Sequence, residues 1–177
     1  MAQPTVRQLR AHVTEQAALR GLSPVIAAHS RLLVLGSFPG EASLSAGHYY
    51  AHPRNLFWPI LAEVLGEPLD EGSFEHRYEI VLARGLAIWD VYGACHREGS
   101  LDSAIRGAAS NDFAVLRRLA PRLEAVVFNG KTAGRFEPEF RAAGYRTRVL
   151  PSTSPAYASL SRTHKLAAWR EAIETLR

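Results

Sequence analysis

RLLVLGSFPGEASLSAGHYYAHPRNLFW, residues 31–58, begins as an apolar strand and runs straight into a Gly/Pro turn, GSFPG, at 36–40. Open α/β sheets place their ligands where a strand ends in such a turn. Tyr49 and Tyr50 follow, then HPRN at 52–55 and the bulky pair Phe57 and Trp58. Aromatic faces beside an amide and an arginine suit a flat heterocycle next to a phosphate. The pattern points to a nucleobase site.

Outward from this stretch, short apolar runs alternate with helical spacing. Strands are expected at 32–35, 86–91, 125–128 and 148–150. Helical periodicity falls at 56–65, 74–83, 112–119 and 132–143, and a closing helix is expected at 163–176 with Thr163 as its cap. Strands alternating with helices predict an α/β fold of three layers, α/β/α, around a central four-stranded, mainly parallel sheet. Three loops then converge on one rim of that sheet: 36–40, 129–131 and 151–155. Residues 1–30 are expected to be an N-terminal extension, with an amphipathic helix at 6–19, and 31–177 a single domain.

Composition narrows the partners. The chain has 177 residues, enough for one domain with a true core, and no apolar run of membrane-spanning length. Cys95 stands alone, which excludes an intrachain disulfide and a cysteine metal cage, and a reducing cytoplasm is expected. The formal charge is +4, and all basic residues except Lys131 and Lys165 are arginine, a side chain that forks onto phosphates or stacks on bases. This favours a polyanionic partner, although an Ala- and Arg-rich composition can also reflect coding bias. Neither the histidines nor Asn129-Gly-Lys131 complete a metal or P-loop motif, so no metal or other cofactor is expected.

GSFPGEASLSAGHYYAHPRNLFWPI resembles the first motif of the uracil-DNA glycosylase superfamily, and within it most closely the hypoxanthine (deoxyinosine) DNA glycosylase family. VVFNGK at 126–131 and LPSTSP at 150–155 fit two further blocks of the same pattern. The resemblance implies a uracil-DNA glycosylase-like fold, a DNA substrate carrying a deaminated base, and monofunctional hydrolysis of the N-glycosidic bond. A monomer acting on double- or single-stranded DNA is expected. In most of the superfamily a polar residue in the GxxPG turn serves the attacking water, but Phe38 holds that position here. The resemblance implies that the role has moved to Asn55.

Each candidate residue has a plainer alternative. Asn55 can orient a water, or it can cap the helix after it. Asn129 offers a donor and an acceptor side by side for reading a base, or it is the first residue of an Asn-Gly turn. Tyr50, with Tyr49 behind it, can stack on a flipped base, or the two can be core and surface partners. Ser37, Phe38 and Gly40 put backbone N–H groups near the base or its sugar-phosphate, or simply turn the chain. Arg54, Lys131, Ser152, Ser154 and Tyr157 are candidate DNA contacts: the serines bring hydroxyls and N–H groups to phosphates, and Ala156 with Tyr157 would wedge into the gap left by the flipped base. Leu150 stands where the superfamily usually has histidine, which leaves stabilisation of the departing base unassigned. Asp90, after an apolar strand, is read as structural in preference to functional. The rival functions are a uracil glycosylase of mismatch or single-strand type and a catalytically silent protein that binds damaged DNA.

Overall fold

A computed structural model describes residues 17–176. The strands are β1 (Leu19–Arg20), β2 (Leu32–Gly36), β3 (Leu86–Asp90), β4 (Tyr92–His96), β5 (Arg106–Ser110), β6 (Ala125–Asn129) and β7 (Arg146–Leu150). The α-helices are α1 (Glu41–Ala46), α2 (Phe57–Leu65), α3 (Phe74–Ala83), α4 (Leu116–Leu119), α5 (Lys131–Gly134), α6 (Glu137–Ala142) and α7 (Arg162–Leu176). The principal sheet has the order β3-β2-β6-β7, parallel throughout. Its three strands β2, β3 and β6 are buried at every position, as continuous apolar runs in a doubly covered parallel sheet should be. β7 is one edge, and its Arg146 and Arg148 pair with Glu124 and with Glu171 of α7. Charge at an edge discourages pairing with another chain.

Helices cover both faces. Trp89, Leu35 and Phe128 lie in register, so they share one face, and Phe113 and Phe140 pack edge-on against Trp89 and Phe128. On the other layer α2 meets α7 through Phe57 and Trp169, ring centroids 5.9 Å apart. The expected three-layer α/β/α architecture is the observed one.

Several boundaries differ for local reasons. The helix expected at 112–119 starts as a 3-10 turn, Phe113–Val115, because the Asp112 carboxylate accepts the Ala114 N–H, and becomes α4 after it. The helix expected at 132–143 divides into α5 and α6 at Pro138, which sits in the first turn of α6 and cannot continue a helix through it. Thr163 is not the cap of the closing helix: α7 starts at Arg162, and Ser161 accepts the His164 N–H in that role. A second sheet, antiparallel β1-β4-β5, was not expected. The helix expected at 6–19 lies almost wholly outside the described residues, and Leu19 itself is strand. Beyond it the expected extension is woven in: Val25 exchanges two backbone hydrogen bonds with Ile88, and Tyr49 donates to the Leu22 and Ser23 carbonyls. Among the described residues no helix is long and apolar enough to cross a membrane.

Candidate active site

All four strands of the principal sheet end at one cavity. Gly36, Asp90, Asn129 and Leu150, the last residues of β2, β3, β6 and β7, line a hollow of about 580 Å³ together with 37–40, Tyr50, His52, Asn55, 100–103, 130–132 and 151–157. This is the carboxyl rim on which such sheets bind their ligands. A shallower hollow of about 380 Å³ at Arg31 and 121–124 lies at the opposite ends of the strands, where Arg31 is already paired with Glu124.

Among the described residues, Asn55 and Asn129 are the only carboxamides lining the rim cavity. Asn55 caps as well as faces the site: its Oδ1 accepts the Phe57 N–H at 3.0 Å, at the start of α2. That bond fixes which end of the amide is oxygen and leaves the oxygen a second lone pair. The neighbouring Leu56 N–H donates to the Thr153 carbonyl at 3.0 Å, tying HPRN to the 151–155 loop.

Asn129, 9% exposed, is held at both ends by one residue. The Thr153 N–H donates to its Oδ1, and its Nδ2 donates to Thr153 Oγ1, each at 2.9 Å. The amide retains one lone pair and one N–H. Gly130 follows with φ 97, and a side chain there would press on Ser152. The close approach of the two loops therefore requires glycine.

Tyr50 is in the left-handed region at φ 55, at a cost of about 1–2 kcal/mol for a residue with a Cβ. One face of its ring lies on Phe57, centroids 3.8 Å apart. Its hydroxyl is buried close to Asp90 and Asn129, near enough to Asn129 for a weak polar contact but with no hydrogen bond of full geometry among the described residues, and burial holds it protonated. Tyr49 is the core partner of the pair: it is buried, and its carbonyl accepts the indole N–H of Trp58.

The GSFPG turn is braced from behind. Ser37 donates to Asp102 at 2.7 Å, Arg97 donates to the Pro39 carbonyl, and the Arg97 guanidinium lies 5.1 Å over the Phe38 ring. Ser100 accepts the Glu41 N–H just beyond Gly40. Phe38 is itself buried, so its ring is wall and carries no polar group to the cavity.

In the 151–157 loop, Ser152 and Ser154 accept the N–H groups of Ser154 and Ala156, and the amides of Thr153 and Tyr157 are also used internally. The expectation that this loop offers N–H groups to phosphates is thereby narrowed to the Ser152 N–H and the serine hydroxyl hydrogens. Helix α7 anchors the loop: Trp169 donates to the Pro151 carbonyl, and Lys165 donates to the Tyr157 carbonyl while its ammonium lies 5.1 Å from that ring. Tyr157 and exposed Ala156 stand at the cavity mouth with exposed Lys131. Arg54 is exposed beside Asn55 but outside the cavity lining.

Two residues change standing. Asp90 caps no helix and lines the cavity, 4% exposed, which corrects the structural reading. Burial pushes its carboxyl up to about 8, with Asp102 adding to the shift and Arg97 opposing it. Thr153, fully buried, was not singled out among the polar residues of its loop, yet it organises both asparagines. Replacing it with Val should cost about 1–3 kcal/mol, because the Asn129 N–H loses its acceptor while buried. Chemical denaturation of Thr153→Val against wild type checks this, and an unchanged midpoint would show that the bond carries little.

The model of the uracil DNA glycosylase superfamily matches residues 23–177. A hypoxanthine DNA glycosylase of Methanosarcina barkeri is 39% identical over 155 residues, covering 88% of this chain and 98% of that protein. Another, from Methanosarcina acetivorans, is 37% identical over 146 residues, covering 82% and 92%. The solution NMR structure of a Methanosarcina acetivorans protein assigned as a uracil DNA glycosylase superposes with a TM-score of 0.81 at 35% identity, over 90% of this chain and 98% of that one.

Proposed function

The chain belongs to the uracil DNA glycosylase superfamily and is a DNA glycosylase acting on deaminated bases; from that premise we propose that its base is hypoxanthine and that Asn55 and Asn129 divide the work. The observation that carries this reading is the double hold of Thr153 on Asn129. An amide fixed in one orientation presents an acceptor to N1–H and a donor to O6. Adenine presents the reverse pair and is refused. Uracil offers a similar N–H and C=O pair, so this contact alone does not exclude it. The relatives named for hypoxanthine, and Leu150 in place of the histidine that serves a uracil anion, favour the purine.

In this reading the nucleotide is flipped out of the DNA into the rim cavity. The base lies on the Tyr50 face not covered by Phe57, with the 36–40 turn against its sugar. Asn55 holds a water beneath the anomeric carbon through its remaining lone pair. As the glycosidic bond lengthens the sugar becomes cationic, so an oriented water suffices and a strong base is not required. Base release leaves an abasic site without strand cleavage. The enzyme acts as a monomer, with Ser152, Ser154, Arg54 and Lys131 along the backbone and Tyr157 at the gap in the stack.

The deciding experiment is single-turnover release from matched duplexes carrying inosine or uracil. Hypoxanthine should be released and uracil at least about a hundredfold more slowly, the reach of a pocket that discriminates by size, since uracil lacks the imidazole ring. Comparable rates would move the proposal to a broad deaminated-base enzyme. Affinity should also fall with salt, by a log–log slope of about −0.9 for each phosphate neutralised. Arg54→Ala is expected to reduce that slope by about one phosphate's worth. An unchanged slope in a salt titration would take Arg54 off the DNA.

A further inference from the structure

Leu150 leaves the departing base without the usual imidazole, yet one acidic side chain that lines the rim cavity has no structural work for its carboxyl. Asp90 closes β3 beside Gly36 of β2, and its main chain is fixed by Asn111, which donates to its carbonyl at 2.8 Å. Its Oδ2 is buried without a hydrogen-bond partner among the described residues. Gly36 is bare because a Cβ there would collide with Asp90 Oδ1 and stand 3.1 Å from the Tyr50 hydroxyl. That hydroxyl likewise makes no hydrogen bond of full geometry among the described residues, with Asn129 its nearest polar neighbour. Two unsatisfied polar groups thus sit together on the floor of the cavity. Native structures pair nearly all buried polar atoms, so an unpaired acid in a residue that lines a pocket calls for a functional explanation.

Position indicates which atom. Asp90 and Asn129 end the two strands that flank β2, so they stand on opposite sides of Gly36. A purine whose N1–H and O6 meet Asn129 turns its imidazole ring the other way. We propose that Asp90, as a neutral carboxylic acid, is the proton donor to N7 of the departing hypoxanthine. This rests on the hypoxanthine reading above and deepens it. The carboxyl proton passes to N7 while the C1′–N9 bond breaks with its electron pair kept on N9, so the base leaves neutral. The water at Asn55 adds its oxygen to C1′ and releases a proton to solvent, from which Asp90 is protonated again. Water and the nucleotide are consumed, abasic sugar and free base are produced, and no further reactant is needed.

The surroundings favour the acid form. Burial and the carboxylate of Asp102 oppose ionisation, and only Arg97 favours it; Tyr49 and Tyr50, which also face Asp90, stay protonated. The carboxyl is therefore an acid through neutral pH and ionises near 8.

The test is single-turnover release from an inosine duplex between pH 6 and 9 by wild type and Asp90→Asn. The isosteric amide keeps a hydrogen-bond donor but has no proton to give. It should be at least tenfold slower at pH 7, below the full general-acid contribution of about 10²–10⁴. Ionisation of the substrate's own N1–H is common to both proteins, so the ratio of the two rates isolates the carboxyl. That ratio should fall toward one as pH rises past 8, which loss of a merely structural contact would not produce. A ratio within twofold of one at pH 7, or one constant across the range, overturns the proposal. If Asp90→Asn does not fold, wild type on a 7-deazainosine duplex decides: release should drop at least a hundredfold, and a drop of less than tenfold overturns it. Failure of wild type to release hypoxanthine at any pH would instead sink the function on which the inference rests.

Discussion

Asn55→Ala is expected to slow base release about a thousandfold while DNA affinity stays within about threefold, the size of effect seen when a single oriented group at the reacting centre is removed. Phe38 occupies the place where most relatives by resemblance carry a polar group, and its buried ring cannot hold water. Among the cavity-lining carboxamides, Asn129 is oriented by Thr153 and keeps its remaining lone pair and N–H for the base, which leaves Asn55 for the attacking water. The same side chain caps α2, so the substitution also removes a cap worth about 1 kcal/mol. That loss shifts the melting temperature by about 2–4 °C in a domain of this size. It does not reach catalysis, provided the Leu56 N–H keeps its bond to Thr153. Asn55→Asp separates the two functions, since a carboxylate retains the cap. Rates and duplex affinities for both variants are the measurement. Parallel loss of binding and release would mean that Asn55 acts only through the helix it starts.

Much of this was legible because the signals were local. LLVLG, LAIWD and AVVFN are unbroken apolar runs, and unbroken runs are what buried parallel strands look like. The motifs then had to fall at strand ends. The antiparallel sheet gave no such signal: RGAAS of β5 is exposed throughout and built of residues with weak strand preference. Its pairing with β4 is imposed by chain path. Thr153 was hidden for another reason, since burial of one hydroxyl in a Ser/Pro loop depends on Trp169 and Lys165 pinning that loop from α7. Asp90 was ambiguous by nature. An acid ending an apolar run can face solvent, a helix or a pocket, and only the missing partner on Oδ2 distinguishes them.

Asn129→Ala is expected to slow hypoxanthine release about a hundredfold and bring inosine and adenine duplexes toward a common rate. The argument rests on hydrogen-bond polarity. Because the Thr153 N–H can only donate, Asn129 Oδ1 is fixed as the acceptor and Nδ2 as the donor. Hypoxanthine then satisfies both remaining valences of the amide, with O6 accepting and N1–H donating. Adenine sets N6–H against Nδ2–H and bare N1 against Oδ1, and each unpaired group costs about 1–3 kcal/mol in a dry pocket. Removing the amide erases the gain and the penalty together. It also strips the Thr153 N–H and hydroxyl of the partner they share, so a stability loss of similar size should accompany the kinetic one. Asn129→Asp sharpens the comparison: a carboxylate still receives the Thr153 N–H and still accepts N1–H, but it meets O6 as acceptor against acceptor. That variant should bind Thr153 nearly as well yet release hypoxanthine as poorly as the alanine. Single-turnover rates on matched inosine and adenine duplexes, alongside denaturation midpoints, test both halves. Unchanged release with unchanged discrimination would leave Asn129 a turn residue and return base reading to the main chain of Ser37 and Phe38.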